Sequence, residues 1–286
     1  MWARAAGTIL FLCFLIFGAM TAASQLIPFQ RSSAPLAGEL AETWRPDLAR
    51  VRSVDDAMRV LPAYIDRQHG SREARVAAGI DQFVRERFYH GKSYISFHRN
   101  WLAWVAGAFW INLRQPVMPD EILRHRSALC SQQAIVFQEL LKRNNIHYAS
   151  VLMGWPSSDP EGRGHFAVAA QIDGRWTYFD TDLEAAHPGA AVERVIDGSA
   201  LPALYGDKPA LLADMQYAAA HNGISLAHID QYPAPRGALF QILTEWLSSW
   251  AWLIFGLLAA CFLIRPRVRA PEVIPLPYLG AQSPAS

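Results

Sequence analysis

Cys130, His165 and Asp180, met in that order along 286 residues, are side chains that could carry out covalent chemistry together. A cysteine attacks a carbonyl as its thiolate, which an imidazolium and a helix N-terminus both stabilise. The imidazole then protonates the leaving group, while a carboxylate bonded to its far nitrogen fixes its tautomer and orientation. Cys130 reads as nucleophile, His165 as acid and base, and Asp180 as the orienting group. Each also has an ordinary reading: a core thiol, a structural histidine at a strand start, an aspartate that ends a strand. Cys13 and Cys261 fall inside long apolar runs, so Cys130 has no disulfide partner in the polar middle of the chain.

The elements around these residues are expected to bring them together. Residues 130–143 form a helix whose apolar stripe is Ala134, Phe137 and Leu141, with Lys142 and Arg143 at its C-terminal dipole and Asn144-Asn145 as a left-handed stop. Residues 146–153 read as a strand and 154–164 as a loop. Residues 165–172 and 175–180 alternate about Asp173-Gly174, the signature of a two-residue type I′ hairpin. Ile172 then faces Arg175, Ala167 faces Asp180, and His165 faces Asp182. Strict alternation puts His165, Trp176, Tyr178, Asp180 and Asp182 on one face. Asp180 is the diagonal neighbour of His165 at ~7 Å between backbones, while Asp182 lies opposite it if the strand lasts that long, so either carboxylate could serve.

Composition narrows the function further. Lys and Arg (26) nearly balance Asp and Glu (25), so no polyanion such as nucleic acid is implied as a partner. Residues 7–23 are apolar or small and end in Thr21-Ala22-Ala23-Ser24; residues 1–24 are therefore either a signal peptide cleaved after Ala23 or a retained anchor. Residues 246–264 form a second span, with Trp246, Trp250 and Trp252 in its first turns and Arg265, Arg267 and Arg269 after its end. That bias places the C-terminus in the cytoplasm. The main domain, residues 53–235, is then extracytoplasmic, in the periplasm of a double-membraned bacterium. The protein is expected in the inner membrane, double-pass or, after cleavage, single-pass. Residues 25–52 read as a tether and 265–286 as a disordered cytoplasmic tail. The apolar stretch 101–113 is too short to cross a bilayer and reads as a buried or interfacial helix. Further helices are expected over residues 72–88 and 209–220, with a short one opening at Asp120-Glu121.

Residues 128–146, Ala-Leu-Cys-Ser-Gln-Gln-Ala-Ile-Val-Phe-Gln-Glu-Leu-Leu-Lys-Arg-Asn-Asn-Ile, resemble the cysteine-helix segment of the transglutaminase-like superfamily. Gly164-His165-Phe166-Ala167-Val168 and Gly174-Arg175-Trp176-Thr177-Tyr178-Phe179-Asp180 resemble its histidine strand and its tryptophan-to-aspartate strand. The step from Trp176 to Asp180 is what selects Asp180 over Asp182. The resemblance, which is to the broad bacterial group, implies an α+β fold related to papain, with the catalytic helix packed on an antiparallel sheet. It also implies thiol acyl chemistry on a peptide, protein or cell-envelope substrate: amide hydrolysis, deamidation or crosslinking through a thioester. The chain departs from the family pattern in having Ala128-Leu129 where a glycine commonly precedes the cysteine. The backbone N–H of Cys130 is a candidate oxyanion donor, with Trp110 or Gln115 as further candidates. No metal-ligand spacing accompanies the site, and neither metal nor cofactor is expected.

Overall fold

The computed structural model describes residues 2–26, 43–156, 163–183 and 189–264. Most of the expected tether, part of the loop after Trp155, and the whole tail from Arg265 lie outside the described residues. The chain separates into two compact units: residues 2–20 with 250–264, and Thr21–Ser249.

The first unit contains most of one long helix, Trp2–Leu26, and the C-terminal part of another, Pro235–Leu263. Each is long and apolar enough to cross a membrane. Within the unit Phe17 meets Phe255 edge to face at 5.0 Å, and a side chain at Gly256 would come within 2.8 Å of the Phe14 ring, so the close approach there requires glycine. The C-terminal helix begins well before the apolar run. Pro235, whose missing N–H costs nothing at a helix start, opens it. Its first turns carry Gln241, which accepts from Val117 N–H and donates to Gln115 O, and Thr244, which accepts from Asn100 Nδ2. Those polar turns belong to the second unit.

The second unit is α+β. Strands β1 (Tyr89–His90) and β2 (Ser127–Ala128) form a short parallel pair. Strands β3 (Tyr148–Trp155), β4 (Arg163–Ile172), β5 (Arg175–Phe179) and β6 (Ile224–Ala227) make an antiparallel sheet in the order β5-β4-β3-β6. The hairpin has the expected register, Ile172 opposite Arg175 and Val168 opposite Phe179. Asp173 and Gly174 both take positive φ, 49° and 80°, as a type I′ turn demands. Where a loop is expected over 154–164, the strands continue: Gly154 pairs with Gly164 and Trp155 with Arg163. A Cβ on Gly164 would lie 2.6 Å from Met153 O, so only glycine lets the ladder run up to His165.

Helix Cys130–Arg143 covers one face of the sheet together with helix Arg72–Arg87. Phe137 is fully buried and its ring lies 5.5 Å from that of Phe179, in a core with Ile80, Val84, Leu140 and Val168. Asn145 ends the helix with φ 56°, the left-handed stop its residue type favours. The opposite face, from Ala149, Val151, Ala167, Ala169 and Tyr178, is covered by short helices Val192–Ile196 and Leu201–Tyr205 and by Pro209–Ala220. The apolar stretch after Asn100 forms only the short helix Trp101–Ala106 and a 3-10 turn, Ile111–Arg114.

Candidate active site

The site forms where β5 stops. Its last residue, Phe179, faces Val168, so among the described residues β4 from Arg163 to Ala167 has no strand on that side. The turn after Phe179 brings two aspartates to the gap, and the N-terminus of helix Cys130–Arg143 brings the thiol.

Cys130 is the first residue of its helix and is partly exposed. The helix start is held by Gln132, whose Oε1 accepts from Leu129 N–H at 3.0 Å and from Ser93 Oγ at 2.9 Å, while its Nε2 donates to Pro116 O. The N–H groups of the first helical turn have no intrahelical acceptor and favour negative charge at this point.

One donor atom from each of Cys130, His165 and Asp182 lies within 4.8 Å of the others. His165 Nε2 donates to Asp180 Oδ2 at 2.8 Å, so the nitrogen left for the sulfur is Nδ1. His165 and Asp180 are both buried. Burial works against the charged ring, yet the Asp180 carboxylate, its hydrogen bond and the Cys130 sulfur outweigh it and hold the imidazole well above its ordinary range. Burial likewise opposes the Asp180 carboxylate, but His165, Tyr205 and the Leu183 N–H together hold it down to about 2. Both shifts favour the charged form of their group, an imidazolium beside a carboxylate.

Asp180 is fully occupied. Oδ2 accepts from His165 and from the Tyr205 hydroxyl, and Oδ1 accepts from the N–H groups of Asp182 and Leu183 at 3.2 and 3.1 Å. Because Tyr205 gives its proton to Asp180, Tyr178 must donate to Tyr205, at 2.8 Å. Burial and the adjacent carboxylate keep both phenols protonated.

Asp182 goes elsewhere. The strand ends before it, so alternation no longer directs its side chain; its carboxylate accepts from Gln133 Nε2 at 2.7 Å and lies 2.8 and 3.0 Å from His90 Nδ1. Sequence reasoning missed His90, Gln133, Tyr178 and Tyr205 as members of the site. Gln133 had a signal, since it stands three residues after Cys130 on the same helical face. Tyr178 also had one, on the hairpin face of Asp180. His90 and Tyr205 had none.

Of the two side chains considered as oxyanion donors, Trp110 is largely exposed and the Gln115 amide donates to Asn112. No hydrogen bond among the described residues ties either to Cys130. The sulfur, nitrogen and oxygen of Cys130, His165 and Asp182 also make a donor set that a zinc-class ion accepts.

No curated protein matches the chain, and no solved structure does. A family model described as a transglutaminase-like domain matches residues 69–201, a span that holds the thiol, the imidazole and both carboxylates, so this segment of the chain is similar to transglutaminase-like domains.

Proposed function

We propose that this chain is a membrane-anchored cysteine enzyme that moves an acyl group with Cys130, His165 and Asp180. The observation that carries the reading is the relay itself: a sulfur at a helix mouth, a ring nitrogen within 4.8 Å, and that ring fixed by a buried carboxylate at 2.8 Å. The Cys130 thiolate attacks the carbonyl carbon of an amide or ester, forming the S–C bond. His165 Nδ1–H passes its proton to the departing amine or alcohol as the C–N or C–O bond breaks, leaving a thioester. Water or an amine then gives a proton to His165 and attacks the thioester, and the thiolate departs. The backbone N–H of Cys130, at the first position of its helix, is the donor proposed for the developing oxyanion.

Two long apolar helices and the arginines at 265, 267 and 269 support an inner-membrane protein whose Cys130 domain faces the periplasm. The packing of helix Cys130–Arg143 on an antiparallel sheet supports kinship with papain. The substrate on this reading is a peptide, protein or envelope component.

The test is alkylation of the full-length protein with iodoacetamide between pH 5 and 10. Rapid labelling of Cys130 near neutral pH, slowed in His165→Ala, is the expected result. Labelling that rises only in alkali, equally in both proteins, would replace the enzyme with a silent binding module of the same fold. Mass spectrometry after incubation with cell-envelope extract should then find a thioester on Cys130 and identify the acyl group.

A further inference from the structure

A second concave site opens on the domain, independent of the thiol chemistry. It is a cleft of about 640 Å³, a size that accommodates a small ligand. Arg50, Arg52, Arg99, Arg124 and Arg126 line it, with the buried His125 in its wall. We propose that this cleft binds a phosphate monoester or diester.

The charge balance of the cleft is lopsided. The two lining acids are already engaged: Asp47 pairs with Arg45 at 2.8 Å, and Asp56 accepts from Arg52 N–H and pairs with Arg59. Arg99 and Arg124 share Glu121 at 3.4 and 3.6 Å. Among the described residues, Arg50, Arg52 and Arg126 form no ion pair with a carboxylate. A further cation stands close by: Arg87 is fully buried and spends its guanidinium on the carbonyls of Val51, Leu123 and His125. Burial, with Arg52 and Arg126 nearby, pushes Arg87 down to about 9. A buried ring nitrogen is unused as well: His125 Nε2 has no hydrogen-bond partner among the described residues, the nearest carboxylate oxygen, on Glu121, lying 4.0 Å away. A buried polar atom without a partner costs free energy that a ligand can return. Several guanidiniums around one space suit the oxygens of a phosphate, which offers more acceptors and more charge than a carboxylate.

Position suggests where such a group comes from. His98, which also lines the cleft, bonds through Nδ1 to Ser24 O at the end of the N-terminal helix, and Arg99 pairs with Glu245 on the C-terminal helix at 3.0 Å. The cleft therefore adjoins residues Ser24 and Glu245, which belong to the two long apolar helices, so a lipid headgroup is one source of such a phosphate.

Two arms separate the lipid source from a soluble one. Full-length protein in neutral detergent is titrated with inorganic phosphate at constant ionic strength, and its Tm is compared in nanodiscs of phosphatidylglycerol and of phosphatidylcholine. Saturable binding or a higher Tm is expected in at least one arm, weakened ~10-fold or more by the pair Arg52→Gln and Arg126→Gln. The matched pair Lys142→Gln and Arg175→Gln, both exposed and outside the cleft, should leave it unchanged. If the first pair fails to fold, Arg50→Gln with Arg124→Gln takes its place. Binding only to inorganic phosphate assigns a soluble phosphate ligand, and stabilisation only by phosphatidylglycerol assigns a headgroup. No saturable effect in either arm, or an equal loss in the matched control pair, would overturn the proposal.

Discussion

Two histidine–aspartate pairs reach Cys130, His165 of one and Asp182 of the other each placing a donor atom within 4.8 Å of its sulfur, and they are held in different ways. His165–Asp180 is buried on both sides, and every acceptor site of the carboxylate is filled by a tyrosine, a histidine and two backbone N–H groups. In His90–Asp182 the carboxylate is buried, but the histidine side chain is 49 % exposed and Gln133 is its main companion on the aspartate. The first pair cannot turn without abandoning several charge-assisted bonds. The second is held by fewer bonds, and its half-exposed histidine is less firmly fixed than His165, although the Asp182 carboxylate it meets is buried. Orientation is what general acid–base chemistry needs, so the two pairs, whose aspartates stand two residues apart in sequence, suit different work.

The largest effect that would break or sharpen this contrast is on Asp180. Asp180→Asn is expected to lower acylation of Cys130 by ~100-fold or more, since an amide no longer enforces the productive tautomer. Asp182→Asn should cost ~10-fold or less. Release of p-nitrophenolate from a p-nitrophenyl ester reads both, and an equal loss in the two variants would erase the distinction between the pairs. Stability carries a matching signature. Asp180 is lowered on folding, so its contribution is present above the unfolded value of ~3.9 and is lost as pH falls through about 2. His165 is raised, so its contribution is full below ~6.5 and is lost as pH rises through its elevated folded value. The Tm difference between the native protein and Asp180→Asn should therefore be widest between about pH 4 and 6.5. A difference that does not vary with pH would mean the pair is not charged.

How far the chain itself foretold this arrangement depends on the reach of each signal. Asp173-Gly174 announces its own turn, and from that turn the register delivers His165 and Asp180 to one face. Cys130 opening an amphipathic helix with Phe137 and Leu141 inward is equally local. The end of β5 is different: nothing in Phe179-Asp180-Thr181-Asp182 marks where pairing stops, and Asp182 turns to His90 because of that stop. His90 and Tyr205 lie on a two-residue strand and a five-residue helix, elements too short to carry a periodic pattern. Their part in the site comes from tertiary packing alone. The extra strand residues at Gly154 and Gly164 were hidden because glycine reads as loop, whereas here it permits close contact.

Tyr205 gives an intermediate test of why the buried pair is rigid. Tyr205→Phe removes one donor from Asp180 and leaves the Tyr178 hydroxyl without its acceptor. The cost is expected at about 1–3 kcal/mol in stability, the range for a buried group losing its partner. Acylation should fall ~10-fold, or about 1.4 kcal/mol, as the carboxylate gains freedom to rotate away from His165. Chemical denaturation and the same ester assay measure the two quantities. A stability loss with acylation unchanged would show that the tyrosines brace the fold and leave the relay to Asp180 alone.

His90 should give the smallest effect. Its ring nitrogen is the only histidine contact of Asp182 among the described hydrogen bonds, and Asp182 lies within 4.8 Å of the sulfur donor atom. His90→Ala leaves a buried carboxylate with one fewer donor beside a reacting thiolate, where like charges repel. The expected loss is ~5-fold in acylation rate, about 1 kcal/mol. His90→Gln restores a donor of similar reach and should recover most of that loss, which a role in proton transfer would not allow, since an amide cannot titrate. A loss of ~100-fold in both variants would move His90 into the reacting set and make His90–Asp182, not His165–Asp180, the acid–base partner of Cys130.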